Sequence, residues 1–374
     1  MPLGAEVTVQ DERAMARALE VGERGRRTAP PNPWVGCVLV RDGVVVGEGF
    51  HERPGAPHAE AAALAAAGDR AQGATAVVTL EPCSHHGRTP PCADALLAAN
   101  VARVVVALED PDPQVRGGGI ARLRERGVEV DLGTGATDAT RSLAPYLHHR
   151  RTGRAYALLK TAMSLDGRVA AADGLSRWIT GSEARANAHE LRADSQAVVV
   201  GSGTALADRP ALTARDVERA VEHQPLRVLL DARGRVPAEG PLFDQSLAPT
   251  LVLTTESADA AAVDAWRAAG TKVETIPTAR GGIGVDLPAA LELLGSHGVL
   301  QAMVEGGPTV HAALMGAGLV DRVVAYVAPT TLGRDARPAF DGPGPGTLAD
   351  ATRWQLVSVT GLGADVRLEY EVET

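Results

Sequence analysis

Three side chains able to hold a soft metal and one carboxylate fall close together in the sequence: His58-Ala-Glu60, then Pro82-Cys83, then Cys92 after eight further residues. A neutral imidazole and two thiolates make a three-ligand zinc site whose fourth position can hold water. Zinc lowers the pKa of such a water enough to give hydroxide at neutral pH. A proton carrier must stand beside it. Glu60, two residues after His58, could take that proton and pass it to a departing amine nitrogen. We therefore expect His58, Cys83 and Cys92 as zinc ligands and Glu60 as the catalytic acid–base. Singly, each could be an ordinary core or surface residue; their order along the chain points to hydrolytic deamination.

Zinc deaminases of bases carry H-x-E followed by P-C-x-x-C, with the glutamate outside the ligand set. This chain has the H-x-E and the P-C, and departs in the second spacing. Local pattern says what must position these groups. The run Ala59-Glu-Ala-Ala-Ala-Leu-Ala-Ala-Ala67 is rich in the best helix former and stops at Gly68, which puts His58 and Glu60 in a helix's first turn. Residues 75–80 read as a strand ending in Glu81-Pro82-Cys83, and Cys92 opens the next helix. Upstream, a helix over 11–24 precedes strands at 35–40 and 44–50, joined by Asp42-Gly43, a hairpin signal. Downstream come a strand over 101–108, a helix opened by Gly117-Gly-Gly119, a strand over 128–132 and a helix over 136–151 ending in a basic hinge. Alternating strands and helices imply a three-layer α/β domain.

The chain has 374 residues, enough for two or three domains. Its net charge of −9 and 3% aromatic content argue against a nucleic-acid surface or an extended stacking platform, and favour a small-molecule substrate. Of three cysteines, Cys37 lies in an apolar strand and reads as a small buried hydrophobe, so no disulfide framework follows. The N-terminus lacks a basic region followed by an apolar core, and no apolar run suits a membrane span. We expect a cytoplasmic protein with no membrane and no nucleic-acid partner.

After Gly153 the pattern restarts. Strands are expected at 155–162, 197–200, 226–230, 250–253, 272–276, 300–304 and 320–327, with helices at 183–193, 259–269, 287–294 and 309–317 and a terminal hairpin over 354–360 and 365–373. This gives a second α/β domain, the division being 1–150 and 151–374. Two Gly-rich segments, Gly201-Ser-Gly-Thr204 and Glu305-Gly-Gly-Pro-Thr309, sit where strand passes to helix. Either could let backbone amides approach a phosphate, or be a tight turn only. Neither is the full G-x-G-x-x-G fingerprint. Arg192 and the loop Asp208 to Arg215 add guanidiniums that suit a phosphate or simply face solvent.

These residues carry a family resemblance. The eight-residue gap between Cys83 and Cys92, with Gly47-Glu-Gly-Phe-His51 before it, resembles the bifunctional deaminase–reductase family of riboflavin biosynthesis. In the second half, Lys160 to Arg168, Ser176-Arg-Trp178-Ile-Thr180, Gly201 to Thr204, Asp208 to Arg215 and Glu305-Gly-Gly-Pro308 resemble its reductase. The match runs from about residue 11 to 330. It implies a cytidine-deaminase-like N-terminal domain and a dihydrofolate-reductase-like, not Rossmann, C-terminal domain. The first would hydrolyse the 2-amino group of a diaminopyrimidinone ribosylamine 5′-phosphate; the second would reduce the ribosyl chain to ribityl with NADPH. By motif, the NADPH contacts would be Ala162, Trp178, Thr204, Asp208 and the run Gly307, Pro308, Thr309, Val310, His311, Ala312 and Ala313. Ser176, Arg192, Leu212, Arg215 and Glu305 would hold substrate in the reductase, and Asn32, His51, His85 and Arg88 in the deaminase. Asp208 could protonate the sugar oxygen or only bind. The chain departs from the family at Arg88, where lysine is common, at Ala155, often proline, and at Asp112, usually asparagine. A homo-oligomer is expected. The different-class alternative, a deaminase of bases in nucleic acid, is disfavoured by charge and by the fused second domain.

Overall fold

The computed structural model describes residues 8–84, 90–219 and 221–372 and divides into two compact units, Met1–Gly153 and Arg154–Thr374. In the first, α1 (Val9–Gly22) opens on a capping box: the Thr8 hydroxyl accepts from Asp11 N, and the Asp11 carboxylate accepts from Thr8 N. β1 (Gly36–Arg41) and β2 (Val44–Phe50) form the expected hairpin, with Asp42 and Gly43 at φ 50° and 79°. Then follow α2 (Ala59–Ala67), β3 (Thr75–Val78), α3 (Cys92–Ala98), β4 (Arg103–Val106), α4 (Gly118–Glu125), β5 (Glu129–Leu132), α5 (Ala136–Ser142) and α6 (Ala144–Thr152). The sheet order is β2-β1-β3-β4-β5, with β1 antiparallel to both neighbours and the rest parallel. The single helix expected over 136–151 is instead two, broken at Leu143. Pro145 lacks the N–H that would continue the ladder and is tolerated only in a helix's first turn, which is where α6 places it.

β2 carries α2 at close range. A Cβ on Gly47 would lie 2.4 Å from Ala63 O, and one on Gly49 2.4 Å from both Ala59 O and Ala63 N. Alternate glycines on the strand and alanines on the helix therefore let the two backbones touch, which sets the depth at which His58 and Glu60 enter the site.

The second unit begins with β6 (Tyr156–Ser164), β7 (Arg168–Ala170), α7 (Ser182–Ala193), β8 (Ala197–Gly201), α8 (Ser202–Asp208), β9 (Leu226–Leu230), β10 (Thr250–Thr254) and α9 (Ala260–Ala268). It continues with β11 (Lys272–Thr275), α10 (Leu287–Ser296), β12 (Gln301–Val304), α11 (Pro308–Gly316), β13 (Arg322–Ala328), β14 (Arg337–Pro338), β15 (Trp354–Leu362) and β16 (Asp365–Val372). Nine strands form one sheet in the order β11-β10-β9-β8-β12-β6-β13-β16-β15, while β14 and β7 pair separately. The strands from β11 to β13 are parallel. β16 adds antiparallel to β13, and β15 antiparallel to β16. The terminal hairpin thus extends the main sheet, which is mixed and not an all-parallel dinucleotide fold. Its interior strands are nearly continuous apolar runs because both faces are covered, with Leu159, Val228 and Leu253 at or near zero exposure. Among the described residues, no helix is long and apolar enough to cross a membrane.

Candidate active sites

In the first unit three elements converge on one point. His58 is the N-cap of α2, Cys92 is the first residue of α3, and Cys83 lies in the loop after β3. His58 Nδ1 is 3.6 Å from Cys83 Sγ and 3.3 Å from Cys92 Sγ, and the three donor atoms lie within 4.8 Å of one another. Tetrahedral zinc with ordinary Zn–N and Zn–S bonds needs an N···S separation of about 3.6 Å, so this donor set fits the ion. Cys92 N donates to Cys83 Sγ at 3.3 Å. The Cys92 thiol and His58 hold Cys83 well below the ordinary thiol range, while Cys83 and burial drive Cys92 upward. Cys83 raises His58 in turn. Glu60 is 3% exposed, and burial pushes its carboxyl up to about 7.

A cavity of about 470 Å³ opens over these groups, lined also by Asn32, His51, Glu81, Asp110, Tyr146 and Arg150. His51 Nδ1 faces the Pro57 carbonyl at 3.1 Å, which can only accept, so Nδ1 carries the proton; Nε2 then accepts from Asn32 Nδ2 at 3.0 Å. Burial lowers the His51 pKa and keeps the ring neutral. This leaves the Asn32 amide oxygen free of that bond to meet a donor in the cavity. His85 and Arg88 lie outside the described residues.

Glu81 was not singled out by the sequence. Its carboxylate accepts from Asp110 N (3.3 Å), Gly117 N (2.9 Å), Gly119 N (3.0 Å) and Ile120 N (3.2 Å), tying the turn before Cys83 to the start of α4. A Cβ on Gly119 would sit 1.7 Å from Pro82 O, so only glycine admits this approach. Asp110 was also missed. It is buried, pushed by burial to about 6, and receives the Tyr146 hydroxyl at 3.1 Å. The only signal for either was its place beside a quoted motif.

In the second unit, Arg192 on α7 makes a two-pronged pair with Glu305 at the end of β12, Nη2 to Oε2 at 2.7 Å. Lys160 on β6 stands 3.8 Å from the same carboxylate. Burial would raise Glu305, but Arg192 and Lys160 outweigh it and hold the acid near 2. Burial, then Arg192 and Arg215, depress His189 to about 4. Ser176 Oγ donates to Asp208 Oδ1 at 3.3 Å, and Arg177 donates to Asp208 O at 2.7 Å. Leu212 is buried at φ 53°, and Arg215 is exposed. Lys160 and His189 are thus parts of this cluster that the motif reading left unassigned.

A separate cavity of about 1090 Å³ lies at the C-terminal ends of β8, β9 and β12. Of the expected NADPH contacts, Thr204, Gly307, Thr309, Val310 and Ala313 line it. Ala162, Trp178, Asp208, Pro308, His311 and Ala312 do not. Ala162 is paired with Tyr326 within the sheet, Trp178 lies under the Arg185 guanidinium at 4.5 Å, and Asp208 is joined to Ser176. His311 is buried, with neither ring nitrogen hydrogen-bonded, and burial lowers its pKa to about 4. The two Gly-rich segments meet: a Cβ on Gly201 would be 2.7 Å from Val310 Cγ2, and one on Gly307 2.8 Å from Thr204 Oγ1. Their glycines serve packing as well as backbone access. A pocket of this size, walled by bare backbone and by arginines, fits a dinucleotide.

Comparison with known proteins joins the two sites. Residues 8–108 match the cytidine and deoxycytidylate deaminase zinc-binding region, and residues 155–368 match the RibD C-terminal domain. The riboflavin biosynthesis protein RibD of Escherichia coli is 44% identical over 370 residues, covering 96% of this chain and 99% of its own. The chain belongs to the RibD family. It is a bifunctional deaminase and reductase of riboflavin biosynthesis, with zinc and NADPH as cofactors. RibD of Acinetobacter baumannii superposes with TM-score 0.86 at 39% identity, over 98% of this chain and 99% of that one. A RibD-type enzyme of Thermotoga maritima, described as a diaminohydroxyphosphoribosylaminopyrimidine deaminase and 5-amino-6-(5-phosphoribosylamino)uracil reductase, gives 0.85 at 30% identity, over 97% and 99%.

Proposed function

We propose that the first unit hydrolyses the 2-amino group of 2,5-diamino-6-ribosylamino-4(3H)-pyrimidinone 5′-phosphate and that the second reduces the product's ribosyl chain with NADPH to 5-amino-6-ribitylamino-uracil 5′-phosphate. The observation that carries the first step is a buried glutamate, Glu60, sharing one cavity with an imidazole and a thiolate of a zinc-competent set. His58, Cys83 and Cys92 would hold the ion, which supplies a water acidic enough to attack at neutral pH. Glu60, poised near neutrality by burial, moves the proton from that water to the departing amine. Asn32 and the neutral His51 orient the pyrimidine edge, and His85 and Arg88 contribute to the same substrate.

In the second unit NADPH supplies the hydride, and the protein's task is alignment and exclusion of water. Ser176 and Asp208 form one hydrogen-bonded unit that would hold the sugar oxygen, the proton needed as the C1′–oxygen bond opens and hydride reaches C1′ coming from Asp208 in its protonated form or, where Asp208 only binds, from solvent water. Arg192 spends its fork on Glu305, so Arg215, at the surface, is the better phosphate contact of the two. Leu212, buried at the turn of the loop that carries Arg215, would complete the substrate contacts. Cytoplasmic location and a homo-oligomeric state complete the reading; the exposed Leu356 and Val359 on β15, the last strand of the sheet, support the latter.

The test is incubation with the diaminopyrimidine phosphate, with and without NADPH, and mass analysis of products. Glu60→Gln should keep zinc and lose ammonia release by about 10²-fold or more, while NADPH oxidation with the deaminated intermediate continues. Unchanged ammonia release would remove Glu60 from the mechanism.

A further inference from the structure

The terminal hairpin of β15 and β16 lies beyond every motif that the reaction described above draws on, yet its turn reaches the reductase cluster. Leu362 and Asp365 are the last pair of the hairpin, joined through Gly363 at φ 62°. Because β16 runs antiparallel to β13, with Val366 opposite Val327, this turn stands at the carboxyl end of β13. That is the edge of an open α/β sheet on which ligands bind. There Asp365, 4% exposed, meets the start of α7: its Oδ2 accepts from Gly181 N at 2.6 Å. Gly181 is the N-cap of α7 and has no side chain to cap with. A carboxylate from the far end of the chain therefore satisfies one of the helix's open amides and complements its dipole. The fit is close. A Cβ on Gly363 would lie 2.9 Å from Glu183 Oε1, and Leu362 packs against the cluster that contains Ala184 and Ala188.

What depends on that end of α7 is the segment 176–180, which carries Ser176 and Trp178. Arg185, one turn into the helix, donates to Thr180 O at 2.7 Å and holds its guanidinium 4.5 Å over the Trp178 ring. On the other side Ser176 Oγ donates to Asp208 Oδ1 at 3.3 Å and Arg177 to Asp208 O at 2.7 Å. The segment is suspended between the end of α8 and the first turn of α7, and Asp365 holds that turn. Further along, α7 has anchors of its own: Tyr326 Oη donates to Asn187 Oδ1 at 2.7 Å, and Arg192 is paired with Glu305. Loss of the Asp365 bond would therefore release the first turn and not the whole helix. We propose that Asp365 is a positioning residue of the reductase, acting through the first turn of α7 to set Ser176 and Trp178 against Asp208. The inference rests on the reductase reading of this unit and gives the terminal hairpin a part in it.

The test is steady-state NADPH oxidation by the full chain with the deaminated intermediate. Asp365→Ala strands Gly181 N and should lower kcat by about tenfold or more, since a misplacement on the order of 1 Å can cost about 100-fold. KM for the intermediate should stay within about twofold, because Arg215 lies on another loop; a loss confined to kcat marks misalignment and not lost binding. Asp365→Asn keeps an oxygen that can accept from Gly181 N and should bring kcat back to within about threefold of wild type. Ammonia release should be unchanged in both variants. A lower Tm with wild-type kcat in Asp365→Ala would confine Asp365 to stability and overturn the proposal; so would an equal loss of kcat in Asp365→Asn, or a rise in KM without a fall in kcat. Where Asp365→Ala does not fold, Asp365→Glu, which displaces the carboxylate by one methylene, takes its place: reduced kcat is expected, and wild-type kcat overturns the proposal. A wild type that oxidises no NADPH with the intermediate removes the reductase reading and this inference together, whereas an active wild type with equally active variants removes the inference alone.

Discussion

Glu81→Gln isolates what the carboxylate behind Cys83 contributes. The substitution keeps shape and volume. In the wild type Oε1 accepts from Gly119 N and Ile120 N, and Oε2 from Asp110 N and Gly117 N. A glutamine can turn its oxygen to one pair only, so its amide nitrogen faces the other two donors in a site 4% exposed. Two stranded buried amides at about 2 kcal/mol each give roughly 4 kcal/mol. The lost charge at the start of α4 adds about 0.5 kcal/mol. For a unit of this size that corresponds to a fall in Tm of roughly 10 °C. Because Pro82 O lies against Gly119, any shift of α4 moves the segment that carries Cys83. Zinc affinity should therefore fall by about tenfold or more, as for other residues that orient metal ligands. Differential scanning calorimetry and competition with a chromophoric chelator read the two effects, while NADPH oxidation in the other unit should be unaltered. A Tm within about 2 °C of wild type, with unchanged zinc retention, would refute the view that this carboxylate positions Cys83.

Two further outcomes follow from buried basic side chains. Burial holds His311 at about 4, below the ordinary 6.5, so the unfolded chain binds more protons between those values; its contribution to stability is complete above pH 6.5 and is lost as pH falls toward 4. His311→Leu should flatten the Tm-versus-pH curve of the reductase unit in that window, and an unchanged slope in calorimetry would contradict it. Arg227 is fully buried and donates to the carbonyls of Ala211 (3.4 Å), Pro241 (2.6 Å), Asp244 (2.9 Å) and Ala248. Arg227→Met strands these acceptors and should cost about 3 kcal/mol in urea unfolding. It should also raise the reductase KM, because Ala211 adjoins Leu212; loss of stability with KM unchanged would confine Arg227 to a structural role.

What was legible in the sequence was local. The order His58, Glu60, Cys83, Cys92 is a statement of ligand chemistry, and the alanine run and the Asp42-Gly43 turn fix the elements that carry it. The terminal hairpin was legible as two strands and a turn, yet not its place beside β13, because pairing across such a separation leaves no local pattern. Glu81 and Arg227 were invisible for a related reason. Their partners are backbone amides and carbonyls, which every sequence has, and only the fold decides which ones converge. Expected NADPH contacts divided on the same ground: those on the rim of α11 reach the cavity, whereas Ala162 is paired within the sheet and His311 is buried away from it.

Asp112 illustrates how a departure from the family pattern is absorbed. The family resemblance implies asparagine there, whose neutral side chain could cap the turn through its oxygen alone. Here Asp112 Oδ1 still accepts from Gln114 N at 3.0 Å, so the turn survives the change. The added charge is met by Arg150, whose Nε lies 3.2 Å from Oδ2 and whose guanidinium stands 5.0 Å over the Tyr146 ring. Tyr146 in turn donates to Asp110, one residue pair back along the same loop. Asp112 therefore keeps the turn of the 110–114 segment and places an ion pair with Arg150 in the wall of the deaminase cavity, beside the contacts that Arg150 also makes with Pro31 O (3.4 Å) and His149 Nδ1 (3.3 Å).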